Sequence, residues 1–220
     1  MPNILNNKMK ICIISDTHNK HKKLYLPPAD VIIHCGDFTS MGKEHEIHKF
    51  FKWYSKLEQY KHKVIIAGNH ELLFETSGSW ARSLVPKNII YLEDSEVIIE
   101  GIKFYGTPVS KIFYNWAFMK PEEKLAVHYA AIPDDTDVLI THNPPFSILD
   151  MVDGGYEKCG SPSLYFEVTN RIKPTLHCFG HIHSGRGIKT IENTTFINAS
   201  CLDEDYNCVY EPIIFELIMA

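Results

Sequence analysis

Apolar residues gather along this chain in short runs rich in β-branched side chains, and the runs share one kind of ending. Residues 11–14 lead into Ser-Asp-Thr-His, residues 31–34 into Cys-Gly-Asp, and residues 64–67 into Gly-Asn-His. Residues 138–140 lead into Thr-His-Asn-Pro-Pro, and residues 176–179 into Gly-His-Ile-His. The runs are strand-length with little polar alternation, as expected of strands buried on both faces. Parallel strands gather functional groups in the crevice beyond their carboxyl ends. Five strands with these endings therefore converge Asp, Asn and His side chains on one place.

Between the runs lie predicted helices. Residues 44–60 carry Ile47, Phe50, Phe51, Tyr54 and Leu57 near helical period, and residues 121–131 and 162–172 each open on a proline. A second β-rich stretch covers 89–106, and 194–219 is β-like, with an apolar group at 213–215 near its end. The sum predicts an α/β fold with two sheets. Residues 1–8 read as a polar tail and 9–220 as a single domain, with no repeat or linker to divide it.

Composition narrows the picture. A chain of 220 residues buries a core without staples. A net charge of -5 and a pI near 6.2 advertise no basic face, so no long nucleic acid is expected as a partner. The six cysteines form no C-x-x-C pair, and Cys12, Cys35 and Cys178 sit in apolar runs, which predicts free buried thiols in a reducing compartment. No run has signal-peptide character or membrane-spanning length, so a cytoplasmic protein without a membrane partner is expected.

Twelve histidines are many for this length, and imidazole is the commonest metal ligand. The strand-end residues Asp16, His18, Asp37, Asn69, His142, His181 and His183 offer carboxylate, amide and imidazole donors without a thiolate. That mixture suits Mn, Fe or Zn and fits poorly with a closed structural zinc site. Seven donors exceed the need of one ion with open positions but serve two ions that share a carboxylate. Asp37, next to Gly36 at a strand end, is the natural bridge.

At this point the chain resembles a known family. D-T-H (16–18), G-D (36–37), G-N-H-E (68–71), T-H (141–142) and G-H-I-H (180–183) are similar to the motifs of calcineurin-like metallophosphoesterases, in order, over residues 9–200. Further stretches, Y-L-E-D-S-E-V (91–97), Y-G-T-P (105–108), W-A-F (116–118) and F-I-N-A-S (196–200), resemble the small phosphodiesterases of the metallophosphoesterase-domain-containing group. The resemblance implies a four-layer sandwich of two packed mixed β-sheets flanked by helices. It implies one metal on Asp16, His18, Asp37 and His183, and a second on Asp37, Asn69, His142 and His181. It makes His70 the general acid. One departure is visible: Asn143 stands where the family stretch T-H-G-P-P has Gly.

The implied activity is hydrolysis of small nucleotide-type phosphodiesters, cyclic nucleotides included, with manganese as the first choice of metal and iron or zinc as alternatives. A hydroxide bridging two ions would attack phosphorus in line, while His70 protonates the leaving oxygen. Glu71 is a loose candidate to orient His70. Alternatives on the same scaffold are a phosphomonoesterase or protein phosphatase, a nuclease, and a non-catalytic scaffold.

Other residues carry two readings. Arg186 reads as a phosphate contact or a solvated loop arginine, and Asn198 as a site residue or a turn former. Tyr105, Phe113, Tyr114, Trp116 and Phe118 read as core packing or as a base-stacking surface. His34 and His177 read as core histidines, and His21, His45, His48, His62 and His128 as surface residues. Gly36, Gly68 and Gly180 read as loop-shaping positions with a functional cause.

Overall fold

The apolar runs become the centres of two sheets. The computed structural model describes residues 8–152, 154–155 and 157–218, so residues 1–7 of the expected tail lie outside the described residues. The chain opens with β1 (Lys8–Ile14), β2 (Val31–His34), helix α1 (Glu44–Tyr54) and β3 (His62–Ile65). Two short helices, α2 (Leu72–Thr76) and α3 (Gly78–Ser83), lead to β4 (Ile90–Tyr91), β5 (Ser95–Ile99) and β6 (Ile102–Thr107). A small pair, β7 (Ser110–Lys111) and β8 (Met119–Lys120), precedes α4 (Glu122–Tyr129) and β9 (Val138–Thr141). Then follow α5 (Pro162–Phe166), β10 (Leu176–Phe179), β11 (Gly187–Ile191), β12 (Thr194–Asn198) and β13 (Ile213–Ile218).

One sheet has the order β13-β1-β2-β3-β4 and the other β11-β12-β10-β9-β6-β5. Within each, the inner strands run parallel and the edge strands β13, β11 and β5 pair antiparallel. Ile11, Ile13, Ile33 and Val64 of one sheet pack against Phe104, Val138, Ile140 and Ile197 of the other. The outer face of the first sheet is covered by α1 and its neighbours through Phe50, Tyr54 and Phe74. The outer face of the second is covered by α4 and α5 through Leu125, Tyr129 and Leu164. The result is the expected pair of mixed sheets flanked by helices. A parallel bridge between Ser15 and Ser200 joins the sheets at the carboxyl ends of their strands.

Three expected elements change shape. The helix expected over 44–60 stops at Tyr54, and Leu57 and Tyr60 are buried from successive tight turns. Apolar residues at 54, 57 and 60 repeat every three, a spacing that 3₁₀-type turns satisfy as well as a helix does. These turns deliver His62 to Asp30, where its N–H meets the Asp30 carbonyl at 3.1 Å and β3 begins. The helix over 162–172 starts as expected, with Ser161 capping Leu164 and Pro162 in the first turn, and widens to π geometry over Glu167–Ile172. The β-like tail is two strands, with 199–212 forming irregular chain between them.

Ile33 is fully buried between the sheets. Ile33→Ala should therefore lower stability by about 2–5 kcal/mol and Ile33→Val by about 0.5–1.5 kcal/mol in chemical denaturation. Near-zero loss in both would contradict the packing described.

Candidate metal centre

Each predicted donor stands just past a strand: Asp16 and His18 after β1, Asp37 after β2, Asn69 and His70 after β3, His142 after β9, and His181 and His183 after β10. The structure brings all of them together at one cavity of about 560 Å³. His18, Asp37, Asn69, His70, His181 and His183 line it, while Asp16 and His142 lie fully buried behind. Asp37 is central. Its Oδ2 is 3.3 Å from His142 Nε2 and 3.8 Å from the Nε2 atoms of both His18 and His70. Asn69 Oδ1 lies 2.9 Å from His142 Nε2, and Asp16 Oδ1 lies 3.8 Å from His183 Nε2. Donor atoms of Asp16, His18 and His183 fall within 4.8 Å of one another, as do those of Asp37, His142 and His181. A third such group, His18, Asp37 and His70, shares one residue with each of them.

The rings are aimed by their other nitrogens. Nδ1 of His18 meets the Thr39 carbonyl at 3.1 Å, that of His142 the Cys35 carbonyl at 2.9 Å, and that of His183 the Asp203 carbonyl at 2.9 Å. A carbonyl only accepts, so each Nδ1 carries the proton and Nε2 presents its lone pair or second proton inward. Among the described residues, His18 Nε2 is buried without a hydrogen-bond partner. A buried polar atom left in that state is costly, and a cation in the cluster would satisfy it. The residues thus fit a pair of divalent ions.

Burial holds the His18 and His181 imidazoles neutral, near pKa 4. His142 is equally buried, but the Asp37 carboxylate beside it outweighs desolvation and lifts its pKa to about 9. Asp37 is likewise desolvated, yet His142 and His70 hold it well below the usual carboxylate range. Asp16 is held low against the same burial by His183 and His142.

The backbone is shaped to this arrangement. Asp16, His18, Asp37 and His181 have φ of 52°, 36°, 55° and 70°, in the left-handed region. Such conformations cost about 1–3 kcal/mol each and cluster at functional sites. A Cβ on Gly68 would overlap the Asp37 carboxylate, and one on Gly180 would overlap both the Asp16 carboxylate and Ser15 Oγ. These glycines let strand ends approach the donor side chains closely.

The surrounding residues correct several expectations. Glu71 does not orient His70. Its buried carboxylate accepts N–H groups of Asp37, Thr39 and Gly68 at 2.9, 2.9 and 2.7 Å, tying the Asp37 loop to the Asn69 loop. Burial and the nearby Asp37 charge raise its pKa to about 7. Asn198 is buried away from the cavity: its Nδ2 donates to the Ile182 carbonyl at 2.8 Å and its Oδ1 accepts from Ser200. Ser200 Oγ in turn donates to Asp16 Oδ2 at 2.7 Å. Arg186 turns from the cavity to the Ser200 carbonyl and the Tyr210 ring. His21 is buried beneath Trp53 and Phe50.

His34 and His177 are buried as expected, each with Nε2 2.9 Å from a threonine hydroxyl, Thr17 and Thr141. Of the five aromatics, Tyr105 and Phe118 are core, whereas Phe113, Tyr114 and Trp116 line the cavity. Lys111 and Tyr206 also line it and were not expected. Tyr206 sits in the irregular 199–212 stretch with its ring 4.9 Å from His18 and 5.2 Å from His183. No periodic pattern marks that stretch in the sequence.

The model of the calcineurin-like phosphoesterase family matches residues 9–185. The chain is 37% identical to human metallophosphoesterase domain-containing protein 1, covering 94% of this chain and 70% of that protein. It is 38% identical to a UPF0046 protein of Caenorhabditis elegans, covering 97% of this chain and 83% of the other. A solved structure described as a putative 5'-nucleotidase from Staphylococcus aureus, in complex with alpha-ketoglutarate, aligns with a TM-score of 0.58 at 12% identity. That alignment covers 97% of this chain and 55% of the other, and shows a shared fold. Among the described residues, no helix is long and apolar enough to cross a membrane.

Gly180→Ala places a methyl group against the Asp16 carboxylate. It should weaken binding of added Mn²⁺ about 10- to 100-fold in calorimetric titration, the range found for residues that orient ligands. Wild-type affinity in the variant would show that the close approach is not required.

Proposed function

The chain belongs to the calcineurin-like phosphoesterase family, and from that membership we propose a binuclear metal-dependent phosphodiesterase acting on small nucleotide-type diesters, cyclic nucleotides among them. The observation that carries the reading is Asp37, whose Oδ2 faces the Nε2 atoms of His142, His18 and His70 at 3.3–3.8 Å. A carboxylate so placed serves as the shared ligand. Asp16, His18 and His183 complete one site, and Asn69, His142 and His181 the other. Two divalent ions, with manganese the first choice, would supply charge neutralisation and a nucleophile at neutral pH.

The remaining work falls to the chain. His70 Nδ1 donates to the Ser40 carbonyl at 2.6 Å, which turns Nε2 toward Asp37 and the cavity. Trp116 stacks on the same ring at 4.2 Å and prevents its rotation. A proton held on His70 Nε2 can then pass to the leaving oxygen. Lys111 is the one Lys or Arg among the described residues lining the cavity. A single ammonium suits the monoanion of a diester better than the dianion of a monoester, which favours the phosphodiesterase reading.

His70→Gln should slow substrates with alkoxide leaving groups by about 10²–10⁴-fold and nitrophenyl esters much less. Steady-state rates on both classes decide it, and equal loss on both rejects the general-acid role. Metal binding should also depend on pH. With its pKa at about 9, His142 is protonated at neutral pH in the metal-free protein. A metal at Nε2 must expel that proton, so affinity rises about tenfold per pH unit up to pH 9 and levels above it. Calorimetry in buffers of differing ionisation enthalpy counts the proton, and a count of zero at pH 6.5 would remove His142 as a ligand.

A further inference from the structure

Beside the metal cluster the cavity has an apolar lining. It is formed by the residues between β7 and β8. Ile112, Phe113 and Tyr114 are 55%, 58% and 77% exposed, and the Phe113 and Tyr114 rings meet edge to face at 4.5 Å. Trp116 sits deeper, on His70. The next two residues, Ala117 and Phe118, turn inward and are buried. The exposed side chains of Ile112, Phe113 and Tyr114 do not follow them. Instead, they border the same cavity as His18, Asp37 and His70. An apolar patch continuous with a polar site marks a ligand surface.

The segment is anchored to the metal-site loops. The Ala117 N–H donates to the Asn69 carbonyl at 3.1 Å. The Lys111 N–H donates to Asn143 Oδ1 at 3.2 Å. Asn143 is fully buried and directly follows His142. It is also the position at which this chain departs from the family stretch, and a glycine there has no side chain to make the bond.

We propose that residues 112–116 form a specificity platform that receives the flat aromatic group of the substrate, a ring of nucleobase size, and that Asn143 fixes the platform over the metal cluster. This deepens the phosphodiesterase reading and rests on it. A cavity of about 560 Å³ is of the size that holds a mononucleotide. Aromatic side chains recognise bases by their π-faces, independently of hydrogen-bonding pattern, so the platform selects a ring and leaves the choice among bases open. Phe113 and Tyr114 supply the surface, and Trp116 links it to His70.

The test compares two probes that share a phosphate and a ribose and differ by a base: adenosine 5'-monophosphate and ribose 5-phosphate, titrated calorimetrically into Mn²⁺-loaded protein. The wild type should bind the nucleotide about tenfold or more tighter, the scale of one stacked base. The double variant Phe113→Ala, Tyr114→Ala should bring that ratio to within about twofold, and Asn143→Gly should lower it in the same direction. Equal binding of both probes by the wild type, no binding of either, or an unchanged ratio in the double variant would each overturn the proposal. Turnover of methyl p-nitrophenyl phosphate by the wild type is scored separately. Base-dependent binding without turnover would defeat the phosphodiesterase reading and leave the platform standing.

Discussion

The Asp37 carboxylate, buried and ringed by imidazole nitrogens, is the constraint to which the rest of the structure answers. A buried carboxylate is tolerable only when paired and hydrogen-bonded. Here the pairing comes from His142, and Oδ1 accepts the backbone N–H of His70 at 2.8 Å. Glu71 adds a second buried carboxylate nearby, which binds the N–H groups of the Asp37 and Asn69 loops and feels the Asp37 charge. With Asp16, three acids share one small region. A divalent cation among the donors would relieve that repulsion, so the electrostatics of the cluster favour one.

The two sheets solve the positioning problem in the same way. In the first, His34 on β2 reaches Thr17, between the donors Asp16 and His18 of the neighbouring strand's loop. In the second, His177 on β10 reaches Thr141, which immediately precedes the donor His142 at the end of the neighbouring β9. Thr141 Oγ1 gives its proton to the Asn143 carbonyl at 2.7 Å, so His177 Nε2–H must be the donor to it. Burial depresses both histidines to a pKa of about 3, and neither changes charge near neutrality. Each sheet thus fixes its donor loop with a neutral histidine from the adjacent strand.

Much of this was legible in the sequence because it depends on local signals. Apolar runs mark the parallel strands, and a donor following each run marks the site, since the strand end sets where the side chain goes. The tail was less legible. Residues 199–212 carry Ser200, Asp203 and Tyr206 into the site without any helical or strand period, and their contacts are with residues far away in sequence. Glu71 and Asn198 were ambiguous for a related reason. Both are polar residues beside donors, and sequence cannot tell whether such a side chain faces the cavity or braces the loop behind it. The His34 and Thr17 pairing was hidden likewise, since it depends on strand register.

The placement of Trp116 has a mechanistic consequence. Its ring packs on His70 at 28° from parallel, while its segment carries the exposed aromatics. The same segment is tied through Ala117 to the Asn69 carbonyl and through Lys111 to Asn143. His70, the donor loops and the apolar wall are therefore tied to one another. Contacts to a remote part of a substrate raise a rate only if they are converted into alignment at the reacting atoms. The contact from the wall to the His70 ring would make that conversion direct if His70 serves as the proposed acid. A wall on a loose loop would add affinity to ground and transition state alike and leave the chemical step unchanged.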